Sequence, residues 1–145
     1  MDPAPIAYAD LPVDAELGRP VPFACGTGLP ASAVALDKRR VTQCALSRVC
    51  GVCGAGLGRP IALLGSDEEA GRRAFHFPPS HPECAEALLA AYGGVDAAVL
   101  GQPRPVEQWV LATTSGFEFV RPGREDVDNR PTFQPNSLLD LVTRG

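Results

Sequence analysis

The middle of the chain has a clear pattern of apolar and polar positions, which predicts a helix followed by two strands. Asp37 is placed to cap a helix that runs to about Val49. The apolar residues expected on its buried face are Leu36, Val41, Ala45 and Val49. The apolar run 60–64 and the alternating run 73–77 predict the two strands of a hairpin, with a polar loop at 65–69 between them.

A second helix is predicted directly after this hairpin. Ser80 and Glu83 have the spacing of a capping box. Pro82 falls in the first turn, where its missing N–H is not needed. Residues 85–92 are good helix formers, and the glycine pair at 93–94 is expected to end the helix.

The flanking segments have weaker patterns. Residues 1–30 form a proline-rich lead that we expect to be irregular, and residues 95–100 favour a further turn or short helix. Residues 108–114 and 117–120 flank a Ser-Gly pair, which predicts a β-hairpin. Residues 138–143 predict a terminal helix.

Four soft ligands occur in two closely spaced pairs, Cys50 with Cys53 and His81 with Cys84. Two-residue spacers bring both members of a pair onto one ion, and zinc favours tetrahedral sulfur and nitrogen ligands. Glycines beside the first pair allow a tight turn around the metal. The spacing therefore predicts a Zn²⁺ site, and a closed set of four ligands favours a structural ion over a catalytic one.

A cysteine knuckle, a hairpin and a helix with ligands in its first turn follow the order of a treble-clef zinc finger. We therefore expect a small single α+β domain over residues 1–145. The first helix and the clef occupy 37–92, and an added hairpin and terminal helix occupy 95–145. Disulfides and coincidental spacing are the alternatives. The odd total of five cysteines and the lack of a signal-peptide pattern favour free thiols in a reducing cytoplasm.

Charge is unevenly distributed along the chain, whose formal net charge is −4. Residues 1–36 carry −3, residues 37–73 carry +3 and residues 74–145 carry −4. The basic middle segment suits the phosphates of a nucleic acid, although its arginines can equally serve to solvate a helix face. The candidate nucleic-acid-binding residues are Lys38, Arg39, Arg40, Arg48, Arg72 and Arg73. No apolar run approaches the roughly 20 residues of a membrane span, which favours a cytoplasmic protein without membrane partners.

Three segments resemble a family of small actinobacterial and actinophage proteins. They are 18–22 (GRPVP), 57–60 (LGRP) and 78–85 (PPSHPECA). The similarity covers about residues 18–92, and its specific part is the C-x2-C-G and P-P-x-H-x2-C-A arrangement. Members of the family are largely uncharacterised, so the resemblance implies a zinc-bound clef and no particular activity. The chain departs from the family at 65–77, where an acidic loop and Phe-His-Phe replace an expected hydrophobic segment.

Two residues are candidates for catalysis if the chain is a small enzyme. His76 is a candidate general base, as in treble-clef nucleases of the His-Asn-His type, but its position between phenylalanines favours an ordinary exposed side chain. Cys25 is a candidate nucleophile, with a buried structural thiol as the alternative. Trp109, Phe117 and Phe119 would then enclose a pocket for a small-molecule substrate. The whole pattern favours a non-catalytic binding or regulatory module for a protein or nucleic-acid partner.

Overall fold

A three-stranded antiparallel sheet lies at the centre of the molecule, in a computed structural model that describes residues 10–26 and 28–144. In chain order the elements are β1 (Val13–Asp14), β2 (Arg19–Pro20), α1 (Lys38–Ser47), β3 (Ile61–Ser66), α2 (Asp67–Arg72), α3 (Pro82–Tyr92), β4 (Trp109–Thr114), β5 (Phe117–Val120), β6 (Thr132–Pro135) and β7 (Leu138–Arg144). The central sheet has the order β3-β4-β7, and β1-β2 and β5-β6 form two small antiparallel sheets. The chain is thus a small single α+β domain.

Helix α1 begins where the capping pattern predicts. The Asp37 carboxylate accepts a hydrogen bond of 3.0 Å from the backbone N–H of Arg40, which satisfies a donor that the helix leaves unpaired. The helix ends at Ser47, two residues before the expected end, because Arg48 adopts a left-handed conformation. Val41 on the predicted apolar face is buried.

Strand β3 is apolar along most of its length because both of its faces are covered. Ala62 and Leu64 lie in a larger core with α3, whereas Ile61 and Leu63 lie in a smaller core. The larger core also contains Leu88, Leu89, Tyr92, Trp109 and Leu111, and the smaller core contains Val41, Phe75, Ala112, Phe117 and Phe133. A strand buried on both faces loses the alternation of a half-exposed strand.

The polar loop predicted at 65–69 is wrong, because residues 65–66 end β3 and residues 67–69 begin α2. Ser66 caps α2 through its hydroxyl, which accepts from the backbone N–H of Glu69 at 3.2 Å. Glu69 in turn accepts from the backbone N–H of Ser66 at 3.0 Å. This reciprocal capping box satisfies two donors at the start of α2 and holds the Glu69 carboxylate inside the protein, where it is 2% exposed.

The strand predicted at 73–77 is also wrong. Residues 74–77 are all buried, so they do not alternate between core and solvent. Within this run, the backbone of Phe75 pairs with Phe133 of β6, and the predicted hairpin with β3 does not form. The β3 edge instead pairs at one point, between Ala62 and Ser80.

The C-terminal third contains the two predicted strands β4 and β5, but they do not pair with each other. Strand β4 lies between β3 and β7, and β5 pairs with β6. The terminal helix predicted at 138–143 is wrong, since these residues belong to β7. Of the turn or short helix expected at 95–100, a turn forms at its end, closed by the hydrogen bond from the Gln102 N–H to the Val99 carbonyl; Val99 and Leu100 fill part of the larger core.

The proline-rich lead is more ordered than expected over its described part, residues 10–26 and 28–30. The short β1-β2 hairpin is followed by a single 3-10 turn at Phe23–Cys25. The buried Asp14 carboxylate accepts from the backbone N–H groups of Glu16, Leu17 and Ala33. Residues 1–9, which belong to the same predicted lead, lie outside the described chain. No helix in the described ranges is long and apolar enough to cross a membrane.

Candidate metal centre

The first ligand pair lies in a tight knuckle directly after α1. Val49 and Gly56 form an antiparallel bridge that closes the base of this knuckle. Between them, the Gly54 N–H donates to the Cys50 carbonyl at 2.9 Å, and Gly54 has a φ of +76°. A Cβ there would lie 2.7 Å from the Phe23 ring, so both the turn and the packing require glycine. Cys50 and Cys53 are thereby directed to the same side of the turn.

The second ligand pair lies at the start of α3. His81 is the N-cap residue and Pro82 occupies the first turn, as predicted, so Cys84 follows one turn along the same side of the helix. The predicted capping by Ser80 is wrong: its hydroxyl is buried and donates to the Pro78 carbonyl at 3.2 Å. The N-terminus of α3 therefore has no side-chain cap, and its positive end faces the cluster of thiols.

The four side chains meet in one cluster. The Sγ atoms of the three cysteines and a ring nitrogen of the histidine all lie within 4.8 Å of one another, and the residues are Cys50, Cys53, His81 and Cys84. The His81 Nδ1 atom lies 3.4 Å from the Cys53 sulfur and 3.7 Å from the Cys84 sulfur. Zinc–ligand bond lengths in a tetrahedron require a sulfur–nitrogen edge of about 3.6 Å. Both sulfur–nitrogen distances are close to this edge, and the four donors are close enough together to hold one metal ion.

The orientation of the His81 ring also fits a metal ligand. Its Nε2 atom lies 2.8 Å from the carbonyl oxygen of Gly56, a distance at which Nε2–H donates a hydrogen bond. Protonation at Nε2 leaves the lone pair of Nδ1 directed at the thiols. Metal-bound histidines are usually held in this way, with the other ring nitrogen bonded to a carbonyl or carboxylate. The knuckle thus supplies two sulfur ligands and also orients the nitrogen ligand.

The electrostatics of the cluster favour a cation. A hydrogen bond from the Cys84 thiol lowers the pKa of Cys50 to about 4, helped by the backbone N–H groups of His81 and Val52 at 3.3 and 3.4 Å. The same interaction with Cys50 raises the pKa of Cys84, and burial raises the pKa of Cys53. Without a cation, one thiolate suppresses ionisation of its neighbours, since like charges this close repel. A bound dication reverses this repulsion and stabilises all three thiolates.

Cys25 does not have the properties of a nucleophile. Burial raises the pKa of its thiol to about 12, and the carboxylates of Asp14 and Asp37 contribute in the same direction. The thiol therefore stays protonated at neutral pH, which makes it a poor nucleophile. Burial likewise raises the pKa of Cys44 to about 12. Both residues are structural thiols.

His76 is buried, which corrects the expectation of an exposed side chain. It is 5% exposed, with Nδ1 3.0 Å from the Pro131 carbonyl and Nε2 3.2 Å from an oxygen of Asp128. Arg130 also contacts Asp128, and its hydrogen bond holds the pKa of that carboxyl at about 2. Both ring nitrogens thus lie close to oxygen atoms, so the His76 side chain connects the segment 74–77 to the loop at 128–131. The sequence contained no signal for this contact between distant segments.

The pocket expected around three aromatic residues does not form. Trp109 lies in the larger core, whereas Phe117 lies in the smaller one. Phe117 and Phe119 pack their rings on Phe133, with centroids 5.6 and 5.2 Å apart. The aromatic residues are therefore split between two cores.

The six basic candidates have different environments. Arg40 lies over the Phe23 ring at 4.0 Å, and Arg48 lies over the Phe117 ring at 4.9 Å, so both guanidinium groups cover aromatic residues. Lys38 and Arg39 are exposed at the start of α1 and line one groove. Arg72 and Arg73 are exposed at the end of α2; neither lines that groove, but Arg72 lines an adjoining pocket together with Arg121. The basic candidates therefore fall into three settings: over aromatic rings, in this groove, and at the end of α2.

Comparison of the chain with protein-family models, curated proteins and solved structures finds no match in any of the three. The donor set and its geometry are therefore the basis for assigning a role. The class that they define is a small α+β domain with a Cys3His cluster able to hold a metal ion.

Proposed function

We propose that the cluster binds one structural Zn²⁺ ion and that the chain is a zinc-stabilised binding module of the treble-clef type. The observation that carries this proposal is the mutual distance of at most 4.8 Å among four donor atoms. Four protein ligands complete the coordination of zinc, whereas catalytic sites keep one position for water or substrate. When bound, the ion supplies structural cross-linking rather than a nucleophile.

The ion would add a cross-link between two segments that already meet through hydrogen bonds, from the Gly51 N–H to the Pro79 carbonyl and between His81 Nε2 and the Gly56 carbonyl. Cys50 and Cys53 belong to the knuckle after α1, and His81 and Cys84 belong to the start of α3. The knuckle and the ligand-bearing helix are two parts of a treble clef, and the hairpin between them is reduced to β3 with the single bridge to Ser80. The resemblance to the actinobacterial and actinophage family is proposed to lie in this shared clef.

The proposed role is recognition of a protein or nucleic-acid partner in the cytoplasm. The two catalytic candidates favour this role over a small enzyme. The thiol of Cys25 has a raised pKa, and the His76 ring is buried between the Pro131 carbonyl and Asp128. A general base needs one ring nitrogen within reach of its substrate.

Elemental analysis and X-ray absorption of the purified protein test the metal assignment. We expect one zinc per chain with three sulfur and one nitrogen ligands. The cobalt-substituted protein should then keep its visible spectrum when azide is added, because no coordination position is open. Zinc far below one per chain, or a spectrum that changes with azide, contradicts a closed structural site.

A further inference from the structure

A groove of about 640 Å³ lies beside α1, on a part of the surface that the metal site does not use. We name it the α1 groove. Its functional side chains are Lys38, Arg39 and Thr42 from α1, Phe119 and Arg121 from the β5 segment, and Asn129 from the following loop. The remaining lining residues are two prolines, so no acidic side chain lines the groove. In a chain with a net charge of −4, this is a local concentration of positive charge.

The basic side chains of α1 lie at its N-terminus, where positive charge stabilises a helix least. Lys38 and Arg39 fall in the first turn, which contains no acidic residue. The helix dipole is positive at this end, so it repels cations and attracts anions. The Asp37 carboxylate accepts from the Arg40 backbone N–H, and its negative charge offsets one of the cations of the first turn and leaves the others uncompensated. Cations at this position lower the stability of the helix, and a bound phosphate group would offset that loss by its negative charge.

The floor of the groove is aromatic. The Phe119 ring is partly exposed and is supported from below by Phe133, at a centroid distance of 5.2 Å and an interplanar angle of 44°. The guanidinium of Arg121 lies 5.7 Å from the Phe119 centroid, near the outer limit of a cation–π contact. Arg121 lies over the ring at the edge of contact distance, so a planar base could take its place on Phe119 while the guanidinium moves to a phosphate.

From these features we propose that the α1 groove binds single-stranded nucleic acid. Lys38, Arg39 and Arg121 would neutralise backbone phosphates, and one unpaired base would stack on Phe119. Thr42 and Asn129 would offer hydrogen bonds to the sugar or to base edges. A paired duplex has no free base face for Phe119, which is why the groove suits a single strand. This inference rests on the proposed binding role and names its partner.

Fluorescence anisotropy with short labelled oligonucleotides tests this inference on the full zinc-loaded chain. We expect a Kd of roughly 1–100 µM for single strands and at least tenfold weaker binding to the matching duplex. DNA and RNA strands of the same sequence show which sugar the groove prefers. A double-logarithmic plot of affinity against salt should have a slope of about −2, from about 0.7 per neutralised phosphate.

Variants separate charge from stacking. Arg39→Ala should weaken binding and reduce the salt slope by about 0.7, whereas Arg104→Ala removes an equal charge outside the groove and should change neither. Phe119→Leu should weaken binding roughly 5- to 100-fold with an unchanged salt slope, and Phe119→Tyr should retain it. The thermal midpoint and zinc content of each variant verify that it is folded.

Several results would overturn the inference. One is equal affinity for duplex and single strand, and another is an unchanged affinity in Phe119→Leu. A third is displacement of the labelled oligonucleotide by pyrophosphate or by a glutamate-rich peptide as effectively as by the unlabelled oligonucleotide. Absence of oligonucleotide binding in a fully zinc-loaded protein rejects the groove assignment but leaves the zinc module intact. Binding with the expected variant pattern in a protein that holds no zinc supports the groove and rejects the metal assignment.

Discussion

Removal of one metal ligand should destabilise the whole domain, and the size of the effect should depend on zinc. Cys53 is 9% exposed and packs with the larger core, so Cys53→Ala removes a ligand without adding a polar atom. Structural zinc sites have binding free energies of about 10–16 kcal/mol. At about 1 µM free zinc, mass action converts this into about 2–8 kcal/mol of stability.

Such a loss is a large part of the stability of an ordinary domain, which is about 5–15 kcal/mol. For a chain of this length it corresponds to a fall in the thermal midpoint of roughly 5–30 °C. Differential scanning calorimetry at a series of buffered zinc concentrations measures it. The midpoint of the natural protein should rise with free zinc, and that of Cys53→Ala should rise far less.

Cys44→Ala is the matched control. Cys44 is fully buried and packs with Phe23 and Val49, but it is not one of the four clustered donors. Its replacement should lower the midpoint by an amount that does not vary with zinc. If both cysteine variants respond equally to zinc, or if the natural protein does not respond at all, the cluster does not stabilise the fold through a metal.

Three further predictions concern the rest of the fold. Glu69→Ala should lower the free energy of unfolding in urea by about 2–4 kcal/mol, because it removes a buried carboxylate that accepts several hydrogen bonds. The control is Glu68→Ala at the exposed start of α2, which should change this free energy by less than about 0.5 kcal/mol. Gly54→Ala should cost about 1–3 kcal/mol in the same measurement, because a Cβ there would meet the Phe23 ring. Gly58→Ala should cost less than about 1 kcal/mol, because a Cβ at residue 58 has open space. The Ala33 N–H lowers the pKa of Asp14 below 3.8, so this carboxylate adds stability above that pH and loses it as the pH falls through its folded pKa. Asp14→Asn should therefore be less stable than the natural protein at neutral pH, and acid melts should show this difference shrinking as the pH falls through the folded pKa of Asp14. A difference that stays constant as the pH falls contradicts the assignment.

The metal cluster was predictable because its signal is local and chemical. Two-residue spacers hold Cys50 with Cys53, and a helix start holds His81 with Cys84, whatever the rest of the chain does. That the two pairs meet required only that α3 return to the knuckle. Helix α1 was predictable for the same reason, since the Asp37 cap is a contact between near neighbours.

Helix α2 was missed although the signal for it was present. Ser66 and Glu69 have the spacing of a capping box, but the segment after them is too short and polar to show a helical period. The same spacing at Ser80 and Glu83 was wrongly given this role, because the Ser80 hydroxyl donates to a carbonyl instead. A capping pattern is therefore ambiguous until the surrounding packing is known.

The sequence by itself determined the four donor residues of the Cys3His cluster, the two longer helices and the presence of β3, β4 and β5. Each depends on interactions within a few residues, which spacing and composition report directly. Only the tertiary structure decided that β4 pairs with β3 and β7, that residues 138–144 extend as a strand, and that Phe119 and Arg121 face the start of α1. A short apolar run can pair with any strand of suitable register, so its partner depends on which faces the rest of the fold buries.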